Sequence, residues 1–140
     1  MMPIKNGKIG CAYGVPGSQW MSGHHQGVDI PAKIGVPVLA ADDGKVVAVG
    51  SPWGKAFGNH SVLVKHTIKT GLLRRKSVWA IYAHCSATHC RPGSKVKKGQ
   101  LIAYTGTEGV SFGPHLHFEV QTTPYWTTTN HINPQPLLDA

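Results

Sequence analysis

Acidic side chains are scarce in this sequence: six Asp and Glu stand against 14 Lys and Arg, leaving a net charge of +8. Such a surface favours polyanions, whether nucleic acid, an anionic membrane or the acidic polymers of a bacterial wall, and charge alone does not choose among them. No apolar run approaches the roughly 18 residues of a membrane span, so no membrane-spanning segment is expected. The opening Met1-Met2-Pro3-Ile4-Lys5-Asn6-Gly7 lacks the apolar core of a secretory signal. The expectation is a chain made in the cytoplasm with no export signal of its own. Cysteine is sparse as well. Cys11, Cys85 and Cys90 leave at least one thiol unpaired, and Cys85-Ser86-Ala87-Thr88-His89-Cys90 matches no common zinc spacing, so free thiols are expected. Charged residues make up only 14%, and no window sustains the three-and-four apolar spacing of a helix. Internal repeats and low-complexity segments are missing too.

What is present is turn chemistry and short β-branched runs. Seventeen Gly and ten Pro in 140 residues point to many short strands joined by turns, and the length suits a single domain with one core. The runs are Val36–Ala40, Lys45–Val49, Ser61–His66, Val78–His84, Gln100–Tyr104 and His115–Val120. Asp42-Asp43-Gly44 reads as a hairpin turn joining the first two as neighbouring strands. The fold class expected is mostly β: an antiparallel β-sheet core, a partly opened barrel or sandwich with a loop-walled groove. Residues 1–140 are taken as one domain, with its core at about 13–120 and a coil tail over 121–140. The basic cluster Leu72-Leu73-Arg74-Arg75-Lys76 reads as a solvated loop, and a second lies at Lys95-Val96-Lys97-Lys98.

The most informative stretch is Gly113-Pro114-His115-Leu116-His117-Phe118-Glu119-Val120. Strand alternation puts His115, His117 and Glu119 on one face and Leu116, Phe118 and Val120 on the other. His25-Gln26-Gly27-Val28-Asp29 offers a further imidazole and a carboxylate. His25, Asp29 and one of His115 or His117 make the three-ligand set of a catalytic zinc site. A divalent cation lowers the pKa of water to roughly 7. His84, ending a strand, and the non-ligating member of the His115–His117 pair are then the groups for general acid–base work. Glu119 suits the role of accepting the second N–H of a ligating imidazole. His24, His60, His89 and His131 read as surface or hydrogen-bonded side chains, and His66, at the end of a strand, as a structural group supporting the site from behind its ligands.

Three motifs in order carry a family resemblance: His25-Gln26-Gly27-Val28-Asp29, Tyr82-Ala83-His84 and Gly113 to Glu119. Over roughly Tyr13 to Val120 the chain resembles the lysostaphin-like, or LytM-type, zinc metalloendopeptidases that cut peptide bonds in peptidoglycan. Gly58-Asn59, Val96-Lys97-Lys98-Gly99-Gln100 and Thr105-Gly106 are similar to that family's loops. The resemblance implies one Zn²⁺ held by His25, Asp29 and His117, with His84 and His115 as the catalytic pair, in a groove floored by the metal. It implies a peptidoglycan peptide substrate, with anionic wall polymers as possible partners, and a monomer that binds no nucleic acid. A phage endolysin or virion-associated lysin acting on the bacterial wall is the expected setting. The alternative is a non-catalytic LytM-like module that binds peptidoglycan or activates an amidase. Of the bonds cut within the family, the direct D-alanine to diaminopimelate cross-link is preferred over a glycine bridge. Trp53, Phe57, Asn59, Tyr125 and Trp126 are loop residues placed to influence that choice.

Overall fold

A computed structural model describes residues 1–51, 55–69, 74–109, 111 and 113–140. Trp53, Leu72 and Leu73 lie outside these described residues. Among the described residues ten strands follow in chain order: β1 (Gly27–Pro31), β2 (Pro37–Leu39), β3 (Gly44–Gly50), β4 (Ser61–Thr67), β5 (Ser77–Ala83), β6 (Ala87–Thr88), β7 (Lys95–Val96), β8 (Leu101–Tyr104), β9 (His115–Gln121) and β10 (His131–Ile132). A 3₁₀ turn, Lys55–Phe57, precedes β4, and one short helix, α1 (Gln135–Asp139), ends the chain.

Seven strands form one antiparallel sheet in the order β1-β9-β5-β4-β3-β7, with β10 also pairing with β9. The other three form a small sheet, β2-β8-β6. No pairing among the described residues closes either sheet into a barrel. The main core joins the two sheets: Val28, Ile30, Val62, Val64, Ala80, Tyr82, Leu116, Phe118 and Val120 from the large one meet Val38, Ile102 and Ala103 from the small one. On the opposite face of the large sheet, Leu63, Ile81 and Ala83 make a second cluster with Ala48, Phe57, Trp79 and Trp126 packed against it. Strand alternation explains the split, since Ala80 and Tyr82 point one way from β5 while Ile81 and Ala83 point the other.

The Asp42-Asp43-Gly44 segment is not a hairpin, because β2 pairs with β8 and β3 pairs with β4 and β7. Its polar groups are satisfied in another way. The Asp42 carboxylate accepts the Asp43 N–H at 2.7 Å, and the Asp43 carboxylate accepts the Lys98 N–H at 2.8 Å. Buried His66 bridges the Asp43 carbonyl at 3.0 Å and the Tyr82 hydroxyl at 2.8 Å, and that hydroxyl accepts the Ala41 N–H at 2.9 Å. The segment is thus a corner that carries the chain from the small sheet to the large one. The tail also departs from coil: β10 extends the β9 edge and α1 buries Leu137 and Leu138 in the core. All three cysteines are free thiols, Cys85 buried and the other two half-buried.

Candidate metal centre and active site

In β1 and β9, Asp29 lies directly opposite His117, and Gly27 opposite Glu119. Directly opposed residues of an antiparallel pair share a face, so the Asp29 carboxylate and the His117 ring meet. His117 Nδ1 stands 2.7 Å from Asp29 Oδ1. His25 comes two residues before β1, its backbone bonded to Val15 O at 2.8 Å and to Gly14 N at 2.9 Å. Its Nδ1–H donates to the Ala12 carbonyl at 3.0 Å, which leaves Nε2 with a free lone pair. That Nε2 is 3.4 Å from His117 Nδ1 and 3.4 Å from Asp29 Oδ1. Trp20 covers the other side of the ring, with centroids 4.9 Å apart.

The donor set fits zinc. With bonds of about 2.0–2.1 Å, tetrahedral ligand atoms lie about 3.4 Å apart. Both His25 edges of the triangle have that length, while the hydrogen bond between Asp29 and His117 closes the third. The spare nitrogens are engaged as ligation requires, His25 Nδ1 by a carbonyl and His117 Nε2 by Glu119 Oε1 at 2.6 Å. Burial favours a neutral Asp29, but the hydrogen bond from His117, with the His25 ring beside it, outweighs this and holds the carboxyl far below its usual range. Burial likewise disfavours an imidazolium at His117. The carboxylates of Asp29 and Glu119 on its two nitrogens overcome this and push it up to about 9.

His84 reaches this spot by an unexpected route. Strand parity would turn it with Tyr82 into the main core, on the far side of the sheet from His117. Instead β5 ends at Ala83, and His84 takes a left-handed conformation with φ of 63°. Histidine tolerates that region better than most side chains. The twist swings the imidazole onto the His117 face, with ring centroids 5.9 Å from His117 and 5.1 Å from His115. His84 Nδ1–H donates to the Glu108 carbonyl at 2.6 Å, and His115 Nδ1–H to the Gly113 carbonyl at 2.7 Å. Among the described residues no hydrogen bond engages Nε2 of either ring, and His115 Nε2 is 3.5 Å from Asp29 Oδ1. Burial, reinforced by His117, lowers His84 to about 4. The five residues singled out in the sequence therefore converge, and His66 lies apart from them in the corner described above.

Other contributors carried little sequence signal. Cys11 bridges Asp29 through the backbone, and ligand atoms of Cys11, His25 and Asp29 all lie within 4.8 Å of one another. Glu108 accepts from His60 Nδ1 at 2.8 Å and from the Asn59 N–H at 3.1 Å, tying the loop before β4 to the segment that holds His84. His131 and Trp126, from the expected coil, stand behind Glu119. Gly106 of the Thr105-Gly106 pair packs so closely that a Cβ there would sit 2.8 Å from the His84 carbonyl.

Comparison with known proteins bears on the family and the fold. Residues 23–134 match the profile of Peptidase family M23. The glycyl-glycine endopeptidase ALE-1 of Staphylococcus capitis is 34% identical over 140 residues, covering 98% of this chain and 35% of that protein. The chain spans about a third of the length of ALE-1 and about a quarter of that of lysostaphin from Staphylococcus simulans. The solved catalytic domain of lysostaphin from Staphylococcus simulans superposes with a TM-score of 0.80 at 30% identity, covering 97% of this chain and 95% of that one. A zinc-containing peptidase from Vibrio cholerae gives a TM-score of 0.72 at 26% identity, over 99% of this chain and 39% of its own. Three motifs in family order, the antiparallel fold and the profile over most of the chain lead to one assignment: this protein belongs to peptidase family M23.

Proposed function

We propose that this chain is a zinc-dependent endopeptidase domain that hydrolyses peptide bonds in peptidoglycan stem peptides or cross-links. Its metal ligands are His25 Nε2, Asp29 Oδ1 and His117 Nδ1, and its catalytic pair is His84 and His115. The observation that carries this reading is the mutual approach of three donor atoms, with the His84 and His115 rings beside them. When bound there, zinc supplies Lewis acidity, polarising the scissile carbonyl and lowering the pKa of water to about 7. The chain's own groups do the rest. Because the Nδ1–H of both His84 and His115 is committed to a backbone carbonyl, each ring presents a proton acceptor at Nε2. One takes the proton of the attacking water and, once protonated, has a proton for the departing amine. The other donates toward the oxygen on which charge develops once it too is protonated.

Phe57, stacked near His117 with centroids 6.1 Å apart, and the loop at 56–60 wall one side of the site. A positive surface suits a wall carrying acidic polymers, in the setting of a phage lysin or virion-associated enzyme. For the bond cut, the similarity to ALE-1 along nearly the whole chain favours a second reading beside the direct cross-link, a glycine bridge.

The test combines metal analysis with turnover on purified peptidoglycan. One zinc per chain and release of peptide fragments are expected. His117→Ala should lose both metal and cleavage, whereas His115→Ala and His84→Ala should keep the metal and lose at least about 100-fold in rate. Metal-free protein that binds wall peptides without cutting them would instead support the non-catalytic module. Mass spectrometry of fragments from glycine-bridged and directly cross-linked walls identifies the bond.

A further inference from the structure

The Glu119 carboxylate is buried to 2% exposure and gathers three donors. Oε1 accepts from His117 Nε2–H at 2.6 Å, while Oε2 accepts from His131 Nε2–H at 2.7 Å and from Trp126 Nε1–H at 3.2 Å. The His131 side chain is as deeply buried as Glu119, at 2% exposure. Its other nitrogen, Nδ1, is 3.3 Å from Gln26 Nε2, an amide that can only donate. The tautomer of His131 and the orientation of its ring are thereby determined from both ends. The Trp126 ring packs edge-on against it, with centroids 5.6 Å apart, and also joins the apolar cluster of Leu63, Ile81 and Ala83.

We infer that His131 is a positioning residue for the metal centre: with Trp126 it clamps Glu119 so that His117 presents Nδ1 toward Asp29 and His25. This inference rests on the zinc-peptidase reading of the same site. A buried carboxylate with a single donor can rotate, and its free oxygen then lacks a partner; the donors on Oε2 remove that freedom. Through Gln26 the clamp also touches the residue next to ligand His25, so one imidazole braces the surroundings of two ligands from separate segments of the chain. The C-terminal segment is thereby part of the metal site, although no atom of it reaches the ligand triangle.

The experiment is zinc titration of the metal-free full chain against a chromophoric chelator, for the parent, His131→Ala, His131→Gln and Trp126→Phe. Thermal unfolding of each metal-free protein is followed in parallel. His131→Ala should bind zinc 10- to 100-fold more weakly, as loss of such a partner typically does. His131→Gln, which keeps an N–H donor, should recover part of that loss, and Trp126→Phe should show a smaller decrease. At saturating zinc the folded variants should regain most of the parent's cleavage rate. Zinc affinity within twofold of the parent in all three folded variants would overturn the clamp, even if their melting temperatures fell, because that pattern is purely structural. Should His131→Ala not fold, the glutamine and phenylalanine variants decide by the same criterion. A parent that binds no zinc would overturn the underlying site reading and this inference together, which separates the two failures.

Discussion

His66 and His84 are both buried imidazoles with pKa values below the ordinary one, yet they occupy different roles. His66 is in the core, where burial is the main cause of its lowered pKa. Its neighbours are the Tyr82 hydroxyl and the Asp43 carbonyl, with the Asp42 carboxylate nearby opposing the shift. Because its folded pKa is depressed below 6.5, the unfolded chain takes up the proton first on acidification. The stability it contributes is complete above about pH 6.5 and drains as pH falls toward the lowered value, by at most about 1.4 kcal/mol per pH unit. Urea unfolding of the metal-free protein at pH 7.5 and 5.5 should show this loss, and His66→Gln should reduce the difference between the two conditions. An unchanged difference would mean that other groups produce it. The sequence alone placed His66 at a strand end as a structural group supporting the site, but its partners, the Asp43 carbonyl and the Tyr82 hydroxyl, lie in the corner away from it. His131 was read as a hydrogen-bonded or surface side chain. Its bonds are real, but with Glu119 as the partner they point to the metal site, and nothing local to residues 130–132 signals a partner twelve positions away.

Among the elements, β9 was the most legible. Its alternation separates Leu116, Phe118 and Val120 from His117 and Glu119, and the sheet follows that division. Both faces proved buried, because the second face is covered by Phe57, Trp126 and neighbouring loops. Less legible was the contact between the loop at 56–58 and the segment at 108–109. Gly109 has φ of 76°, and a Cβ there would run into the Ala56 carbonyl and lie 2.6 Å from the Gly58 nitrogen. That close approach holds the Glu108 carbonyl against His84 Nδ1. Gly109→Ala should therefore cost about 1–3 kcal/mol of stability and, with His84 in its proposed role, lower kcat more than it raises KM, since that ring loses its anchor. Denaturant titration and steady-state kinetics on a soluble peptide check both parts. Asp42-Asp43-Gly44 shows the converse failure: its local turn chemistry is genuine, but the hydrogen bonds go to Lys98 and to neighbouring groups instead of closing a hairpin.

Over the whole molecule, the scarcity of acid has a spatial side. Of six acidic residues, Asp29, Glu108 and Glu119 belong to the site or its walls. Little negative charge remains to offset lysines and arginines elsewhere, among them the exposed Arg74, Arg75, Lys95 and Lys97. Binding to walls that carry anionic polymers should weaken by roughly tenfold or more between 50 and 500 mM salt, as the Debye length contracts below about 5 Å. Cleavage of a short neutral peptide should change little across the same range. Sedimentation of the protein with purified walls, beside the peptide assay, separates the two effects; equal salt sensitivity would place the charge dependence in the site itself.

The sequence by itself determined the strand-rich class and the two faces of β9, and it nominated the five residues of the candidate centre. The first two follow from period-two alternation, a local property, and the five residues from ligand chemistry together with a family resemblance. Only the tertiary structure decided which strands pair, how His84 crosses to the His117 face, and that residues 126 and 131 reach Glu119. The physical reason is that these depend on where separate segments meet. A left-handed residue at a strand end, or a buried carboxylate with room for three donors, is selected by the packing around it, which no single stretch of chain encodes.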